Sequence, residues 1–564
     1  MNKLKEFFSR HNYVNIIALL FVAVSLVPNV FLNFTEAFPP LTQTVNIMFP
    51  LGAYLLLTGL VKKPGKLILW LIPVIILNCF QIVLHFLYGE SIIAIDMYLN
   101  CITSSPGEAS ELLSNLLLPV IFAVGLYLPF IIWAIVTLWR KGKTITSPRY
   151  RGYARYIGGA ILALSLLFIL ITQFTSVKIS PRRAIFPINV ISNIGGAAER
   201  FYDSSVYYST SKDFDYQAET EKQDSVRRII VMVIGETGRA GNWQLFGYNR
   251  ETNPCLSKRN DLMLFPKAIT QSNITHKCVP MMISPVTPYN FDSINNVKSI
   301  ITAFRQAGYR TALFSNQPRN HSYTEWFGNE AHTVAYLPNN RRYDQNLLDD
   351  YLINEITNHR DSSQFIILHT YGSHFSYKDR YDKEDAHFLP DNYPNGIFRY
   401  KEQLVNAYDN SIRYIDRMLS DLINLVEAED CQASIIYASD HGEDIFDDRR
   451  KRLTHASPVP TYYQLHVPMF VWMSQEMIDA YPEIAKNIAS HTNEFVAPSQ
   501  AIYPTLLELG SITTPYAQPQ NALSSSAYKI PDKVYLNDYN EAIDLMSSGL
   551  KWEDINKLNK VFGK

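Results

Sequence analysis

Residues 228–240 read Arg-Ile-Ile-Val-Met-Val-Ile-Gly-Glu-Thr-Gly-Arg-Ala. The unbroken apolar run Ile229–Ile234 has no polar alternation, which predicts a strand covered on both faces rather than one half in water. Similar short, β-branched runs recur at Thr311–Phe314, Phe365–Leu368, Ser434–Tyr437 and Met469–Trp472, with helical patterns such as Val297–Ala307 and Tyr400–Val426 between them. Strands alternating with helices predict an α/β domain with a mostly parallel central sheet and helices on both faces. Ligands of such sheets bind beyond the carboxyl ends of the strands, and the polar residues of this chain collect there.

The amino-terminal third has a different character. Apolar stretches fall at about 13–32, 45–61, 67–88, 116–139 and 156–174, each near the roughly 20 residues that a helix needs to cross hydrocarbon. Basic residues alternate between the connecting loops: Lys3, Lys5 and Arg10; then Lys62, Lys63 and Lys66; then Arg140, Lys141, Lys143, Arg149, Arg151 and Arg155. The other two loops hold only acids such as Glu36, Glu90, Asp96, Glu108 and Glu111. The positive-inside rule therefore places the amino terminus in the cytoplasm and everything after the fifth span outside. A net charge of -1 over 564 residues argues against nucleic acid as a partner. Five scattered cysteines form neither a disulfide framework nor a thiolate zinc site, although Cys255 and Cys278 could pair.

The strand ends carry candidate chemistry. The first is followed by Gly235-Glu236-Thr237, where a rigid support could aim a carboxylate at a cation. The fourth ends in Ser439-Asp440-His441-Gly442-Glu443, a pair suited to zinc or a turn in which Asp440 caps a helix. Between them Gln271-Ser272-Asn273-Ile274-Thr275-His276-Lys277-Cys278-Val279-Pro280 reads as a loop entering a helix, with the Thr275 hydroxyl able to attack phosphorus. Asn273-Ile274-Thr275 also matches a glycosylation sequon, read as accidental. His369 and His374 flank the third strand and His455 lies in a later loop; clustered, they would hold an anionic phosphodiester and move protons.

In this order, these segments resemble the lipopolysaccharide phosphoethanolamine transferases, a membrane branch of the alkaline phosphatase and sulfatase superfamily. Gly247-Tyr248-Asn249-Arg250-Glu251-Thr252-Asn253-Pro254 and Tyr408-Asp409-Asn410-Ser411-Ile412 complete the match. The resemblance implies a five-helix transmembrane domain (1–175), a periplasmic tether (176–225), a catalytic sulfatase-like domain (226–530) and a surface tail (531–564), in the bacterial inner membrane. It implies a Zn2+ site of Glu236, Thr275, Asp440 and His441, with Thr275 as nucleophile. It also implies that His374, His455 and His369, with Asn316 and Gln317, contact the donor. Phosphatidylethanolamine would be the donor, lipopolysaccharide (a lipid A phosphate or core sugar) the acceptor, and diacylglycerol the leaving product. A lysine of the family is replaced near Arg319–His321, and the family's external disulfides are largely missing. A glycerol-phosphate transferase of the lipoteichoic acid synthase type is the alternative. Cys278-Val279-Pro280 imitates the start of a sulfatase signature, but Met282 stands where that signature needs arginine. A non-enzymatic membrane sensor is disfavoured by the presence of all four expected ligands.

Overall fold

The computed structural model describes residues 12–36, 38–89, 92–103, 110, 116–139, 144–175, 178–220, 226–337, 343–394 and 397–563. Lys3, Lys5, Arg10, Glu90, Glu108, Glu111, Arg140, Lys141 and Lys143, used above for orientation, lie outside the described residues. The chain divides into two compact units, residues 1–98 with 116–198, and residues 99–115 with 199–564.

The first unit is helical. Four stretches, Tyr13–Thr35, Pro40–Leu60, Leu117–Leu138 and Pro148–Thr172, are long and apolar enough to cross a membrane. The pair Pro64–Trp70 and Ile72–Tyr88, bent by 62°, makes a fifth span if taken together. Pro73 sits in the first turn of the second piece, where it removes a backbone donor and favours the break. Helices Pro40–Leu60 and Pro148–Thr172 approach backbone to backbone at Gly52 and Gly158. A Cβ on Gly158 would lie 2.6 Å from the Leu56 nitrogen. Small residues at such crossings let helices pack where no hydrophobic gain separates lipid from protein.

The second unit is built on a seven-stranded sheet. Its strands are β1 (Arg228–Gly235), β2 (Leu262–Leu264), β3 (Arg310–Ser315), β4 (Thr333–Tyr336), β5 (Gln364–His369), β6 (Gln432–Ser439) and β9 (Met469–Met473). The hairpin of β7 (Asp444–Ile445) and β8 (Leu453–Thr454) stands apart. The sheet order is β2-β9-β6-β1-β5-β3-β4; β9 pairs antiparallel with β6 and β2, and every other pair is parallel. All eight residues of β1 are buried. Ile230, Met232 and Ile234 share a core with Met281, Phe304 and Leu506. The intervening Ile229, Val231 and Val233 point to the opposite face, as the two-residue strand period requires. The long helix α2 (Lys401–Glu427) packs against β6.

Register decides what the sheet can display. Ile234 opposes His369 and Gly235 opposes Ser439, while Ser315 opposes His369. The residues following β1, β5, β6 and β3 therefore emerge side by side at the carboxyl edge. Helix α1 (Thr275–Met282) begins at Thr275 itself, earlier than the Pro280 boundary read from sequence, because Pro280 is tolerated within its eight residues.

Of residues 531–564, read as a surface tail, the described residues 531–563 are instead folded. They form the hairpin β10 (Val534–Leu536) and β11 (Ala542–Asp544) and the helix α3 (Trp552–Val561). Tyr535, Leu545 and Leu558 enter a core with Ile269 and Leu465. The lysine content masked this widely spaced apolar set. Asp554 is fully buried and accepts from Arg450 at 2.5 and 2.9 Å and from the Tyr462 amide at 3.0 Å. Removing one partner of a buried ion pair costs about 3 kcal/mol or more. Asp554→Ala should therefore lower the melting temperature of the full-length chain by several degrees; an unchanged melting curve would mean that the segment behaves as a tail after all.

Candidate active site

Glu236 follows β1 and Asp440 and His441 follow β6, so adjacent parallel strands deliver three polar side chains to one point. All three are at most 2% exposed. His441 Nε2 lies 3.3 Å from Asp440 Oδ2 and 3.6 Å from Glu236 Oε1. The Thr275 hydroxyl, at the amino terminus of α1, is 3.1 Å from His441 Nε2 and 3.3 and 3.5 Å from the two Glu236 oxygens. The structure thus brings together Glu236, Thr275, Asp440 and His441 from three separate stretches of the chain.

Each side chain is aimed by a second contact. Asp440 Oδ1 accepts from the Thr237 and His441 amides at 3.3 and 2.7 Å. Its Oδ2 is buried and makes no hydrogen bond. His441 Nδ1 lies 3.0 Å from the Gly442 carbonyl, which as an acceptor fixes the proton on Nδ1 and leaves the Nε2 lone pair facing Thr275. Burial pushes the His441 imidazole down to about 4, against the opposing pull of Asp440, and burial raises the Asp440 carboxyl. Desolvation disfavours the charged form of each group.

The histidines read from sequence line the same place. His369, Thr275, Gln317, His374 and His455 border a cavity of about 110 Å³, with His276 and Asn320, which sequence reading did not single out. His374 Nδ1 is 2.8 Å from the Phe375 carbonyl, so its Nε2 is likewise left with a lone pair. His455 Nδ1 meets the buried Glu443 carboxylate at 3.3 Å. Burial pushes His455 and His369 down to about 4. Glu236, His441 and His455 each offer one ligand atom within 4.8 Å of the others. His455, expected only at the donor, therefore stands close enough to join a metal set.

The two amides expected to line the donor pocket part company. Gln317 borders the cavity and donates to Glu236 Oε2 at 3.2 Å and to the Thr370 carbonyl at 3.1 Å. Asn316 turns away and donates to Asp344 at 2.8 Å. Asp344 is a residue that sequence reading missed. It is buried, and it accepts from the Tyr371 and Gly372 amides at 2.7 and 2.8 Å, fixing the segment that leads to His374. Its position upstream of β5, in a turn without a motif, gave no signal.

Buried carboxylate oxygens, an imidazole nitrogen and a hydroxyl make a donor set that zinc accepts. The orphaned Asp440 Oδ2 is the atom of this structure that such an ion would satisfy.

A hydroxyl at a helix start, facing carboxylates and imidazoles beyond a parallel sheet, marks the class of enzymes that attack phosphate or sulfate esters. The chain belongs to the sulfatase family, whose family model matches residues 228–512, and within that superfamily it matches the lipopolysaccharide phosphoethanolamine transferases. It is 30% identical to Kdo(2)-lipid A phosphoethanolamine 7''-transferase of Escherichia coli (strain K12) over 309 residues, 52% of this chain and 53% of that protein. It is 29% identical to phosphoethanolamine transferase EptA of the same organism over 319 residues, 54% and 57% of the two chains. The chain spans about half the length of the curated relatives it matches. The crystal structure of the C-terminal periplasmic domain of EcEptC from Escherichia coli in complex with Zn is 25% identical, with a TM-score of 0.53 over 60% of this chain and 97% of that one. The integral membrane lipooligosaccharide phosphoethanolamine transferase A (EptA) from Neisseria meningitidis shares the fold over 91% of this chain and 98% of that one, with a TM-score of 0.69 at 21% identity. The chain is thus a multi-pass membrane protein with a periplasmic-type domain following its apolar helices.

Gly372 has a φ of +54°, and a Cβ there would lie 2.5 Å from the Glu236 carbonyl oxygen. Both features exclude an L side chain without displacing Glu236. Gly372→Ala should lower the melting temperature by several degrees; wild-type melting would show that the Glu236 backbone yields freely.

Proposed function

We propose that the chain transfers phosphoethanolamine from phosphatidylethanolamine to a lipopolysaccharide acceptor, by way of a covalent phosphoethanolamine-threonine at Thr275. The observation that carries this reading is the Thr275 hydroxyl at a helix amino terminus, within 3.1–3.5 Å of His441 and Glu236 and open to a cavity bordered by four more histidines. The names of the relatives support the headgroup and the acceptor class.

Glu236, Asp440, His441 and the Thr275 oxygen would hold zinc, with His455 in reach as a further ligand. When bound there, zinc supplies Lewis-acid stabilisation of oxygen anions at neutral pH. Thr275 Oγ1 attacks the donor phosphorus and loses its proton; the bond from phosphorus to the glycerol oxygen breaks, and that oxygen takes a proton as diacylglycerol leaves. In the second half, an acceptor oxygen attacks the same phosphorus, the bond to Thr275 breaks, and the hydroxyl is restored. His374 is neutral, with Nδ1 tied to a carbonyl, and its free Nε2 suits it to hold the proton in transit. Backbone N–H groups at the start of α1 favour the negative charge gathering at phosphorus.

Full-length protein incubated with phosphatidylethanolamine labelled in its ethanolamine should become labelled at Thr275. Thr275→Ala should abolish that label and lipid modification in cells while only partly reducing zinc content; normal modification by the variant rules Thr275 out. Label taken instead from phosphatidylglycerol would favour the glycerol-phosphate transferase reading. Gln317 acts one contact away, on Glu236, and loss of such a partner weakens metal binding by roughly 10- to 100-fold. Gln317→Leu should show that loss in a zinc titration; unchanged affinity would leave Gln317 no part in placing Glu236.

A further inference from the structure

Asn273 stands two residues before Thr275 and is 4% exposed. Its Nδ2 donates to the Ser457 carbonyl at 2.8 Å and to Gln464 Oε1 at 2.7 Å. Its Oδ1 accepts from the Tyr535 hydroxyl at 2.8 Å, and its main-chain carbonyl accepts from the Ala456 amide at 3.2 Å. The amide is therefore fully engaged, and the Asn-Ile-Thr sequon offers no accessible nitrogen.

Every one of these bonds except that to Tyr535 bears on the loop around His455. Gln464 extends the grip, since its Nε2 donates to Asp444 at 2.7 Å and reaches the Thr454 carbonyl at 3.3 Å. That loop needs holding. Thr454 and Ala456, on either side of His455, have φ of +67° and +60°, a region that a β-branched threonine enters only under constraint from its surroundings. Thr454 is held by its strand pairing with Asp444 and by Gln464 at its carbonyl, Ala456 by the main-chain carbonyl of Asn273, and the Asn273 side chain grips the same loop at the Ser457 carbonyl and at Gln464. One buried side chain thus joins the segment bearing the Thr275 hydroxyl to the loop bearing His455, whose ring centre lies 4.3 Å from that of His441.

We propose that Asn273 is a positioning residue for the transfer reaction, setting His455 against the Thr275 oxygen. The inference rests on the reading of Thr275 as nucleophile. Tyr535 makes the folded carboxyl-terminal hairpin a third party to the same junction.

The test uses full-length protein and ethanolamine-labelled phosphatidylethanolamine, following the rate of labelling. Asn273→Asp keeps the shape but removes both N–H donors and sets a carboxylate against two acceptors. The expected result is a loss of about 100-fold in rate, with half-saturation by donor changed less than about threefold and zinc retained, since a misplaced group costs rate rather than uniform binding. In the His455→Ala background the same change should cost no more than about twofold, because a residue acting through His455 has nothing left to position. Tyr535→Phe, which deletes one hydroxyl, should lose about fivefold in rate and none of it in the His455→Ala background. Should Asn273→Asp fail to fold, the Tyr535→Phe pair decides. Losses that add in full to that of His455→Ala, or Asn273→Asp at wild-type rate, overturn the proposal. Failure of the wild type itself to take label would instead remove the nucleophile reading.

Discussion

Asp440 is a carboxylate taken wholly out of water, and the one basic group within ion-pair range of it among the described residues is His441. Burial of an unbalanced charge is among the most costly arrangements in a folded chain, so the site is organised around an electrostatic deficit. Without a cation, both groups drift toward their neutral forms, as the raised carboxyl and lowered imidazole show. The sheet makes the arrangement unavoidable. Because β1 and β6 are parallel neighbours in a register that opposes Gly235 to Ser439, the next residues of each strand must emerge together. A one-residue slip would swap the two covered faces and break the packing of Ile234 and Ala438, so hydrophobic packing enforces the polar geometry.

The imidazoles follow a common rule. His441 and His374 each have Nδ1 against a carbonyl oxygen of the following residue, and His455 has Nδ1 against Glu443. For His441 and His374 the carbonyl fixes the proton on Nδ1, so the tautomer follows from the acceptor rather than from solvent. Glu443 itself is buried and its carboxyl is raised well above the usual range by that burial, with Arg239 opposing the shift. It thus carries to His455 a hydrogen bond that water does not compete for.

Much of this was legible in the sequence wherever the cause was local. Unbroken apolar runs marked five of the seven strands of the sheet, missing the short edge strands Leu262–Leu264 and Thr333–Tyr336, and Glu236, Asp440 and His441 lie at the ends of two that were read, where side chains must leave the sheet. The fold class and the membrane helices followed from hydropathy and period. What stayed hidden depended on contacts across long stretches of chain. Gln317 reaches Glu236 over 81 residues, and Tyr535 reaches Asn273 over 262. No periodicity records such pairs. Asp344 sits in a stretch with no motif, and its importance comes from two amides that the fold alone brings to it. The carboxyl-terminal segment failed for a compositional reason: its core residues are interspersed with lysines and other polar residues, and single buried side chains leave no pattern.

The departure near Arg319–His321 has a structural counterpart. Arg319 pairs with Glu325 at 3.0 Å and stacks on the Tyr336 ring at 4.4 Å, and Glu325 also accepts from the Asn320 and His321 amides. The arginine charge is thereby committed to its own loop, and the side chain bordering the cavity from this stretch is the neutral Asn320. Under the proposed function, this wall contributes hydrogen bonds to the donor but little charge. Neutralisation of the phosphodiester then falls to the α1 amides and the proposed zinc ligands. Such a division would place the ethanolamine end against neutral amides, free of a neighbouring cation that would repel its ammonium group. The replaced lysine is in this sense compatible with the same donor, because the α1 amides and the proposed zinc ligands, against which the phosphorus would be attacked, do not depend on that charge.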